Sequence, residues 1–360
     1  MKVRLTDICT PRQWKTIPTS ELLNEGYPVY GANGIIGYYN GYNHESPVVT
    51  ITCRGATCGT INITAPKSYV TGNAMCLDDL RPDVLLEYLY YSLLHYNFRN
   101  VISGSAQPQI TRQGLEKVNI ELHSLDEQRT IIDVLSKLER IILARKEELQ
   151  KLDNLVKARF VEMFGNPVAN EKGWHVELLK DVCNGIGDGL HGTPEYDEVG
   201  IYPFINGNNL TNGTSEITPS TRMVNIETYA NHYIEISDNA ILLSINGTLG
   251  KLALYNGEKV MLGKSACYCN LRPEINREFV YGVMRTNAFA EFLESNATAS
   301  TIKNVGLKAI RNFRLIVPPD DLQTKFVAFS RRIDKSKVSV QKSLDEAQLL
   351  FDSLMQQYFG

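Results

Sequence analysis

The stretch FVEMFGNP (Phe160–Pro167) closes a helical pattern on an aromatic residue followed by glycine, and the last eight residues, SLMQQYFG (Ser353–Gly360), repeat the phrase. Setting Phe164-Gly165 on Phe359-Gly360 gives an offset of 195, which also places Gln128 on Gln323, Ile131 on Phe326, Leu149 on Leu344 and Leu155 on Leu350. Upstream the offset shrinks. ITRQGLEKV from Ile110 matches IKNVGLKAI from Ile302 at 192, and LRP at Leu80 matches LRP at Leu271. YPVYGANG from Tyr27 resembles YPFINGNN from Tyr202, and TDIC ending at Cys9 resembles KDVC ending at Cys183 at an offset of 174. A drifting offset is what loop insertions leave on a scaffold written twice, so the chain reads as one unit and its second copy.

Each copy has two parts. The first is rich in Gly, Asn, Tyr and Thr. SPVVTITC and YVTGNAMCL read as strands between turns, and PDVLLEYLYYSLLHYN as a helix. In the second copy NAILLSI and KLALY are the matching strands and NREFVYGVMRTNAFAEFLES one matching helix. NGIGDGL (Asn184–Leu190) is a loose glycine cluster and reads as a turn. The second part is a long helix. Positions 131, 135, 138, 142, 145, 149, 152, 156, 159 and 163 step by four and three, and so do 326 to 358 in the second copy. Eight of ten are apolar in each, a coiled-coil seam that includes Ile131, Leu135, Leu138, Ile142, Leu149, Leu152, Val156, Ile333, Val340, Leu344, Phe351 and Leu354. Ser124 or Asp126 can cap the first helix, Pro318-Pro319 with Asp320 announces the second, and Gly165 with Pro167 ends the first. At ~1.5 Å per residue each spans roughly 57 Å. Two such helices in one chain most simply pair antiparallel. The expected architecture is α+β: two similar mixed α/β heads at 1–123 and 166–318, joined by helices at 124–165 and 319–360 in a pseudo-two-fold arrangement.

Hydrophobic content of 43% and charged content of 21% are ordinary for a globular protein. No apolar run approaches the ~20 residues of a membrane span and no signal-peptide h-region is seen, so a cytoplasmic location is expected. The seven cysteines form no CxxC and the six histidines show no metal-ligand spacing, so the thiols are expected to be buried and reduced and no metal is expected.

Two unequal heads related by a rotation suit double-stranded DNA, whose local two-fold axis is read by two-fold binders at half-sites about a turn apart. The net charge of −3 does not announce such a partner, but the distribution does. Glu87 to Glu116 encloses an acid-free window holding Arg99 and Arg112, and Glu294 to Asp320 encloses another holding Lys303, Lys308, Arg311 and Arg314. Each window carries a small polar stretch, SGSAQPQITR with Ser105 and Gln107, and SNATASTIKN with Thr298 and Ser300, of a kind that suits amide and hydroxyl contacts to phosphate. A second pair is TCRGATCG (Thr52–Gly59, with Arg54, Gly55 and Thr57) against INGTLGK (Ile245–Lys251, with Asn246, Gly247, Thr248 and Lys251); its glycines allow close backbone approach. Asn33 in YGANGIIGYYNGYN and Asn208 in NGNNLTNGT carry amides that can pair with adenine edges, and the same residues build ordinary turns. Catalytic signals are thin: no GxGxxG opens a helix after a strand, and GxxxxGK[ST], [DNS]PP[YFW] and a PD…ExK constellation are all absent.

NGIIGYY, RGATCG, GTLGK, LRP, ITRQGL and the helix opening LDEQRTII, on a duplicated head-and-helix plan covering essentially the whole chain, resemble the specificity subunits of type I restriction-modification systems. The resemblance implies that each head is a target-recognition domain reading half of a bipartite asymmetric site, and that the helices act as a ruler for the spacer. It implies two modification subunits that bind S-adenosylmethionine and methylate adenine, and restriction subunits that use ATP and Mg. This chain itself would bind no cofactor and catalyse nothing. By matching position, the recognition loops include the regions of Arg54, Gly55 and Thr57 and of Asn246, Gly247, Thr248 and Lys251. One departure stands out: the second head opens with GWHVELLKDVC, whereas KVRLTDIC lacks the tryptophan lead-in, so that edge is expected to pack differently. The alternative reading is a coiled-coil adaptor with two protein- or glycan-binding heads.

Overall fold

The computed structural model describes residues 1–32, 34–104, 107–211 and 213–360. It divides into two compact units: Met1–Glu147 with Val340–Gly360, and Glu148–Ser339. Both long helices are unbroken over 40 residues, Leu125–Phe164 and Asp320–Phe359, and each contributes one segment to each unit.

The duplication is explicit in the topology of the two heads. In the first, a four-stranded antiparallel sheet has the order Thr10–Arg12, Ala74–Asp78, Val49–Thr52, Ile61–Ile63; in the second the order is Cys183–Asp188, Ala266–Leu271, Ala240–Ser244, Leu252–Leu254. A three-stranded sheet in each head centres on the tyrosine-proline strand, Tyr27–Gly31 or Tyr202–Ile205, with one antiparallel and one parallel neighbour. The entry strand pairs with the exit strand: Arg4 faces Asn119 and Leu178 faces Arg314. The strand partners are therefore the same in both heads, and the missing tryptophan changes only the lead-in. In the second head Trp174 donates from Nε1 to the Phe164 carbonyl (2.9 Å), closing the end of the helix, while in the first the terminal amine meets the Leu122 carbonyl (2.9 Å).

Two local readings are corrected. NGIGDGL is strand over Cys183–Asp188 rather than a turn; its glycine is needed because a Cβ on Gly187 would sit 2.6 Å from the Tyr268 hydroxyl crossing it. The long second-head helix is two, Arg277–Met284 and Asn287–Ser295, because buried Thr286 leaves helical geometry to cap the latter, accepting from Phe289 N (3.3 Å).

The helices open as expected. Ser124 and Glu127 form a capping box, and Glu127 N meets the Ser124 hydroxyl at 3.4 Å. The repeated glutamines join helix to head: the Gln128 amide accepts from Leu85 N (2.9 Å) and donates to Asp83 O (2.8 Å), while Gln323 donates to Pro318 O (2.8 Å). Ile131, Leu135, Leu138, Ile142, Val156, Leu344 and Phe351 are buried, and Leu149, Leu152, Ile333, Val340 and Leu354 half-buried. The four-three walk fails at the end of the first long helix. There Val156, Phe160 and Phe164 are buried, in place of the expected Arg159 and Met163. A four-four step turns the helix from a seam toward a head core, where Phe160 and Phe164 meet Phe279 and Phe326 at centroid distances of 5.2–6.0 Å.

In this unit the helical segments run antiparallel. Arg159 lies over Phe329, and Asp153 pairs with Lys337 at 2.7 Å, so one index falls as the other rises. Arg285, from the break between the head's two helices, reaches the same Asp153 (2.8 Å) and also Asp334 (3.6 Å). In the other unit the head helix Leu86–His95 docks through Tyr91, whose hydroxyl donates to Glu139 (2.7 Å) and whose ring meets Phe351. Phe160→Ala is expected to destabilise Glu148–Ser339 by about 3–5 kcal/mol through the cavity it leaves. Denaturant unfolding of the full chain checks this, and an unchanged transition would contradict the central place of this residue.

Candidate nucleic-acid interface

The strand that carries each glycine loop is buried on both faces. Val49, Thr50, Ile51 and Thr52 in the first head, and Ile241 to Ser244 in the second, are all at or below 2% exposure. This run delivers a rigid loop to the head surface. The acid-free window supplies its neighbour. The described arms of SGSAQPQITR and SNATASTIKN pair as hairpin arms: Ile102–Ser103 with Gln109–Ile110, and Ala297 with Val305.

The outgoing arm of each hairpin binds the glycine loop through one short ladder. In the first head Arg54 bridges Gln109, Ile110 N donates to Cys53 O (3.0 Å) and Gly55 N to Pro108 O (3.1 Å). In the second Asn246 bridges Asn304, Val305 N donates to Ile245 O (2.9 Å) and Gly247 N to Lys303 O (2.9 Å). This corrects the alignment of the windows. Ile110 corresponds to Val305 and Thr111 to Gly306 at the helix offset of 195, and the buried residues Leu115 and Ile310 then coincide. The glycine match at 192 misled because Gly114 lies inside the short helix Arg112–Leu115, whereas Gly306 is the N-cap that precedes Leu307–Arg311.

Gly55 (φ +91°) and Gly247 (φ +76°) adopt the left-handed region at the turn, and a Cβ on either would meet nothing within 4 Å. Packing therefore leaves room in front of both. Ala32 and Asn208 are tied to the same regions. Thr52 Oγ1 donates to Ala32 O (2.6 Å), and Lys251 Nζ reaches Asn208 O (3.4 Å).

Of the residues singled out in the first head, Arg54, Thr57, Gln107 and Arg112 are exposed and Gly55 is half-buried; Asn33 and Ser105 lie outside the described residues. Arg54 and Arg112 have no ion-pair partner among the described residues. Burial pushes the Cys53 thiol up, opposed by the Gln13 hydrogen bond and by Arg54. In the second head Asn208, Gly247 and Thr248 are exposed, while Asn246 is half-buried with its amide on Asn304 (3.2 Å). Thr298 and Ser300 share a hydroxyl contact of 2.9 Å inside the hairpin, and Lys303 pairs with Glu294 (2.5 Å). Arg311 stands apart from this group, donating to Ile186 O (2.7 Å).

Residues missed at the sequence level complete the first head's surface. Gln13 donates to Cys53 Sγ (3.0 Å) and Gly72 O (2.8 Å), and Pro11 to Trp14 with Met75 and Arg112 line an open pocket of about 470 Å³. The basic-aromatic run RQW was the available signal.

A family model described as the type I restriction modification DNA specificity domain matches residues 1–154 and again 171–347, one match per copy. The chain belongs to this family. Among curated relatives, the EcoprrI specificity subunit of Escherichia coli is 27% identical over 115 residues, 32% of this chain and 28% of that protein. The MjaIX specificity subunit of Methanocaldococcus jannaschii is 22% identical over 310 residues, 76% and 68% of the two chains. The match thus spans little more than a quarter of the first relative's length. The crystal structure of a type I restriction-modification S subunit from M. genitalium superimposes with a TM-score of 0.60 at 17% identity, over 100% of this chain and 96% of that one. A chain solved to describe complex assembly and conformational transition of the type I R-M system gives 0.53 at 16%, over 99% and 97%. These two likenesses concern the fold.

For this specificity-domain chain, Gly247→Ala is expected to lower stability by about 1–2 kcal/mol through left-handed backbone strain alone, since its methyl group meets no neighbour. Thermal unfolding checks it, and no loss would place the turn outside its left-handed conformation.

Proposed function

We propose that the chain is the non-catalytic DNA-specificity subunit of a type I restriction-modification complex, each head reading one half of a bipartite, asymmetric site in double-stranded DNA. The observation that carries this reading is the repeated ladder: the same two loops are joined by the same hydrogen bonds in both heads of a chain from this family. Duplicated backbone geometry with different side chains suits a common grip on the phosphate backbone and separate base contacts. Arg54 and Arg112 in one head, and Lys251 and Lys303 in the other, supply charge at or beside the loops. The amides of Gln107, Asn208 and Asn246 supply the donor-acceptor pairs that base edges require.

Chemistry then belongs to the partners. Modification subunits carrying S-adenosylmethionine would methylate adenine, and restriction subunits with ATP and Mg would join them, as the resemblance implies. No helix among the described residues is long and apolar enough to cross a membrane. The coiled-coil adaptor reading has no support in the relatives.

Binding of the purified chain to double-stranded DNA across a salt series tests the proposal. Affinity is expected to fall steeply with salt, because each neutralised phosphate releases counterions. Arg54→Ala is expected to reduce the magnitude of the log–log slope by about 1. Salt-independent binding, or an unchanged slope in the variant, would contradict the assignment.

A further inference from the structure

His44, Cys76 and Asp78 of the first head lie outside the loops described above, yet their donor atoms all fall within 4.8 Å of one another. Strand alternation puts Cys76 and Asp78 on the same face of Ala74–Asp78. His44 is brought to that face by its backbone bridge to Ser68. Cys76 is fully buried, and Asp78 and His44 have side-chain exposures of 8% and 11%.

The hydrogen-bond polarity around His44 is fixed by its neighbours. The Asn43 side chain is held by both backbone groups of Val70: Nδ2 donates to Val70 O (3.0 Å) and Oδ1 accepts from Val70 N (2.8 Å). The atom that faces His44 Nδ1 at 2.7 Å is therefore an acceptor, and Nδ1 must carry a proton. In the neutral ring Nε2 then presents a lone pair to Asp78 Oδ1 at 2.9 Å. Two acceptors at that distance need a shared proton, or a metal ion bound to both, to hold them together. The other Asp78 oxygen is already engaged by Trp14 Nε1 (3.1 Å), whose ring meets the imidazole edge-on.

A proton alone would satisfy that pair, but it leaves the thiol unexplained. Cys76 Sγ is in the same place and has no hydrogen-bond partner among the described residues. A divalent ion would be neutralised by one thiolate and one carboxylate, the arrangement an apolar surrounding favours. Nearby Arg12 pairs with Asp79 (2.7 Å) and stands 3.8 Å from the Asp78 oxygen that Trp14 engages, which leaves Oδ1 to the His44 side. The Asn43–His44 contact is also the outer hydrogen bond that orients a metal-bound imidazole.

We propose that His44 Nε2, Cys76 Sγ and one oxygen of Asp78 form a zinc site that fastens the loop carrying His44 to the central sheet of the first head. Sulfur, imidazole nitrogen and carboxylate oxygen are the donor types that zinc takes in four-coordinate geometry, with water as the fourth ligand. The sequence hid the site because His44 and Cys76 lie 32 positions apart, and because no matching trio occurs among the described residues of the second head.

The test uses the full chain, stripped with chelator and titrated with Zn²⁺ against a chromophoric competitor, then with Co²⁺ alone. One zinc per chain is expected, and the cobalt form should show a thiolate-to-metal charge-transfer band with the strong visible bands of four-coordinate cobalt. Cys76→Ser should abolish the charge-transfer band, Cys269→Ala in the second head should keep it, and Asn43→Ala should weaken zinc binding about 10- to 100-fold. If Cys76→Ser does not fold by circular dichroism, the wild-type cobalt spectrum and His44→Gln decide in its place. A wild-type chain that takes up no zinc, or one whose cobalt spectrum lacks the thiolate band, would overturn the proposal and leave a proton-bridged His44–Asp78 pair.

Discussion

The structure depends on each head being closed by helical segments that are far apart in the chain. In Glu148–Ser339 the closure is aromatic and ionic: Phe160 and Phe164 from one helix and Phe326 from the other share a core with Phe279, while Asp153 gathers Lys337 and Arg285. In Met1–Glu147 with Val340–Gly360 the same task falls to Tyr91 against Glu139 and Phe351, and to Tyr88 against Phe359. A fully buried aromatic contributes roughly 1.5–3 kcal/mol. The half-buried Asp153 cluster contributes mainly by admitting one register, since a lone buried charge is costly. Neither head has a complete core without both helices, so the repeat had to be copied as head plus helix.

That constraint explains how much of the fold was legible. The helices, their caps and the duplicated strands follow from periodicity and turn residues, which act locally. The seam was legible at Ile131 to Ile142 and at Leu344 and Phe351, which are buried as the periodicity predicts. It failed at Phe160 and Phe164, where a head replaces the helix as neighbour and four-four spacing replaces four-three. NGIGDGL misled because glycine there serves a close approach by Tyr268 rather than a turn. The break at Thr286 was hidden by the continuous apolar pattern on either side of it.

The candidate site was legible as separate stretches and not as a surface. The repeat marked the glycine loops and the acid-free windows as paired features, but only strand pairing shows that Arg54 meets Gln109 and Asn246 meets Asn304. Sequence matching chose the wrong register for the windows because two glycines coincided by chance. Long-range contacts such as Gln13 to Cys53, and the meeting of His44 with Cys76 and Asp78, have no local signature. The ladder is the common part of the two heads, and the side chains around it differ: arginine and the RQW pocket in one, asparagine and lysine in the other. Equal scaffolds with unequal linings are what reading an asymmetric sequence requires.

The most direct test of the account is a map of N6-methyladenine across the host genome with and without this gene. One bipartite motif is expected to lose its methylation, with half-sites that change separately when the loops at Arg54 and at Asn246 are altered. A map unchanged by loss of the gene, in cells expressing its modification partners, would contradict the assignment of this chain as the reader of the site.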